Sequence, residues 1–392
     1  MSAVTYSRPI SGIERGYLNV AAQHDHPMIH LVLEGKGSLE PRALEAAVAS
    51  ACDANPGIAV VRRGTRWVGG GPLPAVISHA APLTNANDVD LFRQGLDVVG
   101  GPVAEVHLFG HESTTLVLRA THAVSDGRGL QHWLRDVFRV LRGETPLGAP
   151  DTATDQHFVR TVKACRKPNT ESSSSAPHAR LSAPLFGATE AGGCIRWTRR
   201  TIATSASAMS ARIAAAVARY VGAAVTVIIP VDLRRHDPTV NSTANLSAQL
   251  PLQVSPEESW QRIYGRLLKL LAQGRETDTL RMRFQDSNPY ANTLEQAQAI
   301  KSDTCPPYAA IISDHGVMDL KPFVSPGFAP TRLSSFPLLV PYVGTFISSF
   351  TNNGMTHLTV AHREGDDPNS IAGLLDDIEK ITGKNSPHER KS

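Results

Sequence analysis

Apolar and polar residues alternate along "MIHLVLEG", with Ile29, Leu31 and Leu33 set against His30, Val32 and Glu34, and a period of two predicts a strand. The following "PRALEAAVASACDANPG" changes to helical spacing. Leu44, Ala47, Val48, Ala51 and Cys52 fall on one face, and Pro56-Gly57 stops the helix. "AEVHLFG" and "TTLVLRA", separated by the polar "HEST", predict a hairpin. Its second strand runs into "LRATHAVSDGRGLQHW", after which Leu130, Trp133, Leu134, Val137, Phe138 and Leu141 recur at helical spacing with Arg135, Asp136 and Arg139 outside.

From about Glu144 to Gly193 periodicity gives way to Pro, Ser, Thr and Gly, which predicts a crossover linker whose most mobile part is the Ser172 to Ser175 run. The same vocabulary then resumes. "CIRWTRRTI" predicts a strand, Met209, Ile213, Val217 and Tyr220 a helix, and "VTVIIPV" a buried strand. Ser255 as cap, Pro256 in the first turn, Glu258 and a terminal Gly274 bracket a helix through Trp260, Ile263, Tyr264, Leu267, Leu268 and Leu271. "AAIISDHG", a Pro-rich stretch to Pro341, strands at "GTFISSF" and "THLTVAH", and a last helix through Ile371, Leu374, Leu375, Ile378 and Ile381 complete the chain. The expected division is an N-terminal α/β part at 1–150, a linker at 151–193 and a C-terminal α/β part at 194–392.

Composition narrows the function. The 392 residues exceed one ordinary core, and 41% hydrophobic with 19% charged residues describes a soluble globular enzyme or binding protein. A net charge of +3 without a basic stripe argues against nucleic acid as partner. Cys52, Cys165, Cys194 and Cys305 lack metal-ligand spacing. With no signal-like N-terminus and no apolar run near the ~20 residues of a membrane span, a cytoplasmic protein with reduced thiols is expected.

Chemistry concentrates at His122, at the junction of strand and helix and four residues before Asp126-Gly127. An imidazole near neutral pKa is suited to take a proton from a hydroxyl, amine or thiol. Asp126 can approach it in a tight loop, but an Asp at a helix start is equally placed to cap that helix. The competing reading is a turn with a satisfied loop histidine. The "HDH" of His24 to His26 reads as a solvated loop, "VGGGPLP" lacks the helix that a phosphate loop needs, and no metal site is expected. Trp133 and the methionines read as core.

"HAVSDG" in this setting resembles the HxxxDG acyltransferase superfamily, which includes chloramphenicol acetyltransferase, the polyketide-associated and BAHD acyltransferases, and the condensation domains of peptide synthetases. "SGIERGYL", "GSLEPRALEAAVASACDANPGI" and "IIPVDLRRHDPTVNSTANLSAQLPL" are similar to that family's other segments, so the resemblance spans nearly the whole chain. It implies an α/β fold of two similar chloramphenicol acetyltransferase-like sandwich subdomains with a central substrate tunnel. It also implies His122 as general base, Asp126 as a structural residue, and Gly127 as the turn. Arg234 of "VDLRR" is the implied partner of Asp126, a surface charge being its competing reading. Thr121, Ser125, Asn245 and Ser313 are candidates to support the site, although a plain turn is the simpler reading of Ser313.

The sequence departs from its relatives in several places. Thr121 stands where condensation domains carry the first of two histidines, Ala59 where many carry an arginine, Ala244 where several relatives have glycine, and the DFGWG motif is missing. The expected function is transfer of an acyl group from a coenzyme A or carrier-protein thioester to a hydroxyl or amine of a small molecule. No tightly bound cofactor is expected, with acyl-coenzyme A or a phosphopantetheinyl carrier protein as co-substrate, and the protein is expected to be a monomer. A cyclase or condensation-type enzyme on the same fold, or a catalytically degenerate binding module, remains open.

Overall fold

The protein is described by a computed structural model over residues 6–21, 27–110, 113–162, 185–187, 194–278, 280–281 and 306–383. His24, His26, Cys165, Cys305 and the Ser172 to Ser175 run lie outside the described residues. The chain divides into two compact units, the first formed by 1–162, 232–248 and 319–338, the second by 163–231, 249–318 and 339–392.

In the first unit, β1 (Ser7–Pro9), β3 (Val60–Arg63) and β4 (Arg66–Gly69) form a small sheet in the order β1-β4-β3. The larger sheet uses β2 (Met28–Gly37), β5 (Ala75–His79), β6 (Ala104–Phe109), β7 (Ser113–Thr121) and β12 (Phe328–Phe336) in the order β12-β2-β7-β6-β5. Helices α1 (Gly12–Ala21), α2 (Pro41–Ala54), α3 (Gly127–Leu141) and α4 (Asp155–Thr161) complete it. The five α2 positions named from periodicity are all buried, and α2 packs on α3.

In the first unit Asp136 and the Pro-rich stretch differ from the sequence reading. Asp136, assigned to the outer face of α3, is fully buried, because its carboxylate accepts hydrogen bonds from Asn55 Nδ2 at 2.8 Å, Leu147 N at 2.7 Å and Gly148 N at 2.9 Å. A buried carboxylate needs donors for its oxygens in place of solvent, and these three bonds supply them. The Pro-rich stretch also contains β12. Pro330 is tolerated there because β12 is an edge strand with a register shift between Pro330 and Arg332, so its missing N–H interrupts no interior ladder. This strand pairs with β2, three hundred residues away in chain numbering at Phe336↔His30, and joins 319–338 to the first unit. The contiguous boundaries at 150 and 193 therefore do not describe the compact units. Part of the expected linker is α4 of the first unit.

The second unit is built on one sheet in the order β10-β9-β11-β13-β14-β8. Its strands are β8 (Ile195–Ile202), β9 (Val225–Asp232), β10 (Ser247–Val254), β11 (Tyr308–Val317), β13 (Val343–Asn352) and β14 (Met355–Arg363). Helices α5 (Met209–Val221), α6 (Trp260–Ala272) and α7 (Pro368–Gly383) share a core with it that includes Ile213, Val217, Val227, Ile312, Leu358 and Leu374. Helix α6 begins one turn later than expected. Ser259, not Ser255, caps it by accepting from Arg262 N at 3.4 Å, while Ser255 O closes a preceding turn with Glu258 N at 3.1 Å. Met28 and Met209 are buried, whereas Met318 and Met355 are only half-buried. No helix among the described residues is long and apolar enough to cross a membrane.

Candidate functional site

His122 follows the last residue of β7, and the loop it opens is fixed at both ends. Thr121 N donates to Val103 O at 3.0 Å, His122 N to Pro27 O at 2.8 Å, and Val124 N back to Thr121 O at 2.9 Å. Ala123 and Val124 are buried in an apolar cluster with Ile10, Val60, Trp67 and Val103. The loop is thus held by its own apolar residues as well as by backbone bonds.

The imidazole has one nitrogen committed. Nδ1 lies 2.9 Å from Ser125 O and 3.0 Å from Asn245 Nδ2. A carbonyl can only accept, so the contact with Ser125 places the proton on Nδ1. The Asn245 amide has an acceptor of its own, His122 O at 2.7 Å, and its Oδ1 receives Ser247 N at 3.2 Å. With Nδ1 protonated, Nε2 carries the lone pair, and it makes no hydrogen bond to any described residue. The residue is only 7% exposed. Burial lowers its pKa below 6.5, opposed by the Ser125 carbonyl and the charge of Asp126, so the ring is neutral at pH 7. The Tyr17 ring of α1 stacks on it at 4.2 Å with 25° between planes.

Asp126 is turned to structural partners. Oδ1 caps α3 by accepting from Gly129 N at 2.7 Å, and Oδ2 accepts from Leu246 N at 2.7 Å and Arg234 Nη1 at 3.0 Å. Burial alone would raise its pKa, but Arg234 and the two amides outweigh that and hold the carboxyl below the usual range. Arg234 also binds Asp232 Oδ1 at 2.7 Å, Ser242 O through Nε at 3.1 Å and Nη2 at 2.9 Å, and Ala244 O at 2.7 Å. The guanidinium therefore fastens the 242–245 segment, which carries Asn245, to the start of α3.

Gly127 is the first residue of α3, and its φ is not among the positive ones. The demand for glycine falls instead on Gly129. A Cβ there would lie 2.3 Å from Thr243 O and 2.6 Å from Ser125 Oγ. Ser125 Oγ donates to Asp126 O at 3.3 Å, so its hydroxyl stays within the loop while its carbonyl serves the imidazole. Ser313 belongs to the second unit, on β11, where its Oγ is 3.3 Å from His315 Nε2.

Sequence reasoning assigned no role to Arg8, Glu14 or Tyr17. Ser11 and Glu14 form a reciprocal cap on α1: Glu14 N donates to Ser11 Oγ at 3.1 Å and Ser11 N to Glu14 Oε2 at 2.9 Å. The S-x-x-E spacing within "SGIERGYL" was a readable signal for it. Glu14 also receives Arg8 Nη1 at 2.7 Å and Trp67 Nε1 at 3.1 Å, and Arg8 Nη2 reaches Val124 O at 3.2 Å, inside the histidine loop. Among the described residues no group of three His, Cys, Asp or Glu side chains is arranged to hold a metal.

No protein-family model and no curated protein sequence matches the chain. Solved structures match it over nearly its whole length. The starter condensation domain of rhizomide synthetase, as a double variant in complex with C8-CoA and Leu-SNAC, has a TM-score of 0.65 at 15% identity, covering 96% of this chain and 94% of that one. The EpoB cyclization-docking bidomain from Sorangium cellulosum has a TM-score of 0.67 at 13% identity, covering 97% and 86%. Polyketide synthase associated protein 5 from Mycobacterium tuberculosis has a TM-score of 0.63 at 14% identity, covering 97% and 98%. The chain thus shares the α/β fold of these solved condensation-type and polyketide synthase associated structures.

Proposed function

We propose that the protein is an acyltransferase in which His122 acts as general base. The observation that carries this reading is the occupied Nδ1: with that nitrogen donating to Ser125 O at 2.9 Å, the lone pair sits on Nε2 of a buried, neutral ring. Nε2 takes the proton of an acceptor hydroxyl or amine as its oxygen or nitrogen bonds to a thioester carbonyl carbon. Backbone amides or a hydroxyl meet the developing oxyanion. Collapse of the tetrahedral intermediate breaks the carbon–sulfur bond, and the imidazolium returns the proton to the departing thiolate. Asp126 and Arg234 do no proton transfer in this scheme; they hold the loop.

The donor is acyl-coenzyme A or an acylated carrier protein, and the acceptor is a small molecule. The solved relative with C8-CoA and Leu-SNAC supports a thioester donor, and the likeness to a cyclization domain supports a condensation or cyclisation as the second reading. The test is to incubate the purified protein with acetyl, octanoyl and palmitoyl groups, each on coenzyme A and on a phosphopantetheinyl carrier protein, and mixed amine and alcohol acceptors, following thiol release and product mass. Donor-dependent thiol release with an acylated acceptor, lost in His122→Ala, is expected. A dehydrated or ring-closed product would favour the second reading, and no turnover with coenzyme A or carrier-protein thioesters would favour a binding module.

A further inference from the structure

We infer that Tyr17 is a positioning residue for His122: its ring is the wall that fixes the imidazole plane and shields it from water, and α1 exists in this place to hold that wall. The inference rests on the general-base reading for its catalytic consequence but on geometry for its substance. Tyr17 stacks on the imidazole at 4.2 Å and 25°. A ring–ring contact at that separation restrains rotation about the outer bond of the histidine, which the hydrogen bond at Nδ1 restrains only at one edge.

The helix carrying Tyr17 is tied to the histidine loop by buried polar bonds. Glu14, one turn before Tyr17, receives Arg8, Trp67 and its own capping amide, and neither Arg8 nor Glu14 is exposed. Arg8 passes through to Val124 O, two residues beyond His122. Tyr17 and Leu18 pack on the apolar cluster that contains Ala123 and Val124. Helix and loop therefore move as one piece, and the stack does not depend on a chance rotamer. An uncompensated buried charge is costly, and Arg8 and Glu14 supply each other's counter-charge at 2.7 Å, with the carbonyl of Val124 taking a further guanidinium donor.

Among the described residues the charge acting on the ring is that of Asp126. It faces the ring from the start of α3, with Arg234 neutralising that carboxylate, while Arg8 reaches the backbone of Val124 and Glu14 binds Arg8. Tyr17 supplies apolar cover, and removing it admits water to the ring.

Histidine-selective labelling and NMR titration test this without any substrate, His122→Ala identifying the signal. In the native protein the His122 ring protons carry the upfield displacement of a stacked aromatic, and their titration midpoint lies below the ordinary imidazole value. Tyr17→Leu removes the displacement and raises the midpoint toward the ordinary value, and lowers kcat for thiol release from octanoyl-coenzyme A roughly two- to tenfold with little change in KM, the range a ring–ring contact supports. Tyr17→Phe keeps the native signal and rate. The inference is overturned by a native spectrum without ring displacement, by an unmoved midpoint in Tyr17→Leu, or by a Phe variant as impaired as the Leu variant, which would transfer the role to the hydroxyl. Should His122→Ala retain turnover while the titration behaves as described, the general-base reading falls and the stack stands.

Discussion

Asp126 and Arg234, 108 residues apart in the chain, meet at 3.0 Å with both side chains largely withdrawn from solvent. The pair is the joint between the helix that follows His122 and the segment that delivers Asn245. Because each partner also holds backbone, removing one leaves a buried charge and loosens both elements. Asp126→Asn and Arg234→Gln are each expected to cost about 2–4 kcal/mol. The double variant is expected to lose less than the sum by at least about 1 kcal/mol. Urea unfolding of the set of four proteins measures this, and strict additivity would mean that the two residues act separately.

His122→Ala is expected to leave the unfolding midpoint near that of the native protein and to lower turnover roughly 10²- to 10⁴-fold, the usual contribution of a positioned base. Burial lowers the pKa of His122, so the neutral base persists to pH values under the ordinary 6.5. The rate should therefore rise with pH through a midpoint below that value and be flat at pH 7 and above. A pH–rate profile with its acid limb above 7 would point to a different base.

Gly129→Ala tests the close approach of the 242–245 segment. Alanine gains about 1 kcal/mol of helix propensity, but its Cβ would meet the backbone oxygen of Thr243 at 2.3 Å, which no rotamer relieves. A net destabilisation of about 1–3 kcal/mol is expected, together with a fall in activity. Calorimetry of the purified variant decides it, a stability equal to native showing that the segment yields.

Asp155 is buried against the first turn of α1, its Oδ2 accepting from Ile13 N at 3.1 Å. Burial, reinforced by the charge of Glu14, raises its pKa to about 6. A carboxyl raised in the folded state binds a proton that the unfolded chain has released. Its contribution to stability is therefore present below the unfolded pKa near 3.8 and is lost as pH rises through about 6. Asp155→Asn removes that loss, and the variant is expected to be about 1–3 kcal/mol more stable than native at pH 7 and little different at pH 4. Denaturant unfolding at the two pH values checks the sign, and a variant weaker at pH 7 would mean that the ionised carboxylate is needed by α1.

Local pattern was enough to locate the strand β7, the helix α3 and the histidine between them, because a period of two or of 3.6 is written in neighbouring residues. The resemblance carried by "HAVSDG" and "VDLRR" pointed to Asp126 and Arg234, but not to the carbonyls of Ser242 and Ala244 that share the guanidinium. Where a polar side chain recruits distant backbone, the pattern misleads. Asp136 looks like a surface residue of α3 until Asn55 and the 147–148 amides are in place, and β12 looks like a Pro-rich connection until β2 offers it an edge.

The sequence by itself determined β2, β7, α2 and α3, where the histidine stands between β7 and α3, and that its aspartate heads a helix. Only the tertiary structure decided which nitrogen of His122 keeps its lone pair, which glycine the site cannot exchange, and that Tyr17 and Arg8 reach the loop. Each of those depends on groups separated by 100 residues or more, or on a carbonyl direction, as in the contacts of His122 with Asn245 and of Arg8 with Val124. Hydrogen-bond direction and steric exclusion act over a few ångströms between surfaces that meet only after folding, so no periodicity along the chain encodes them.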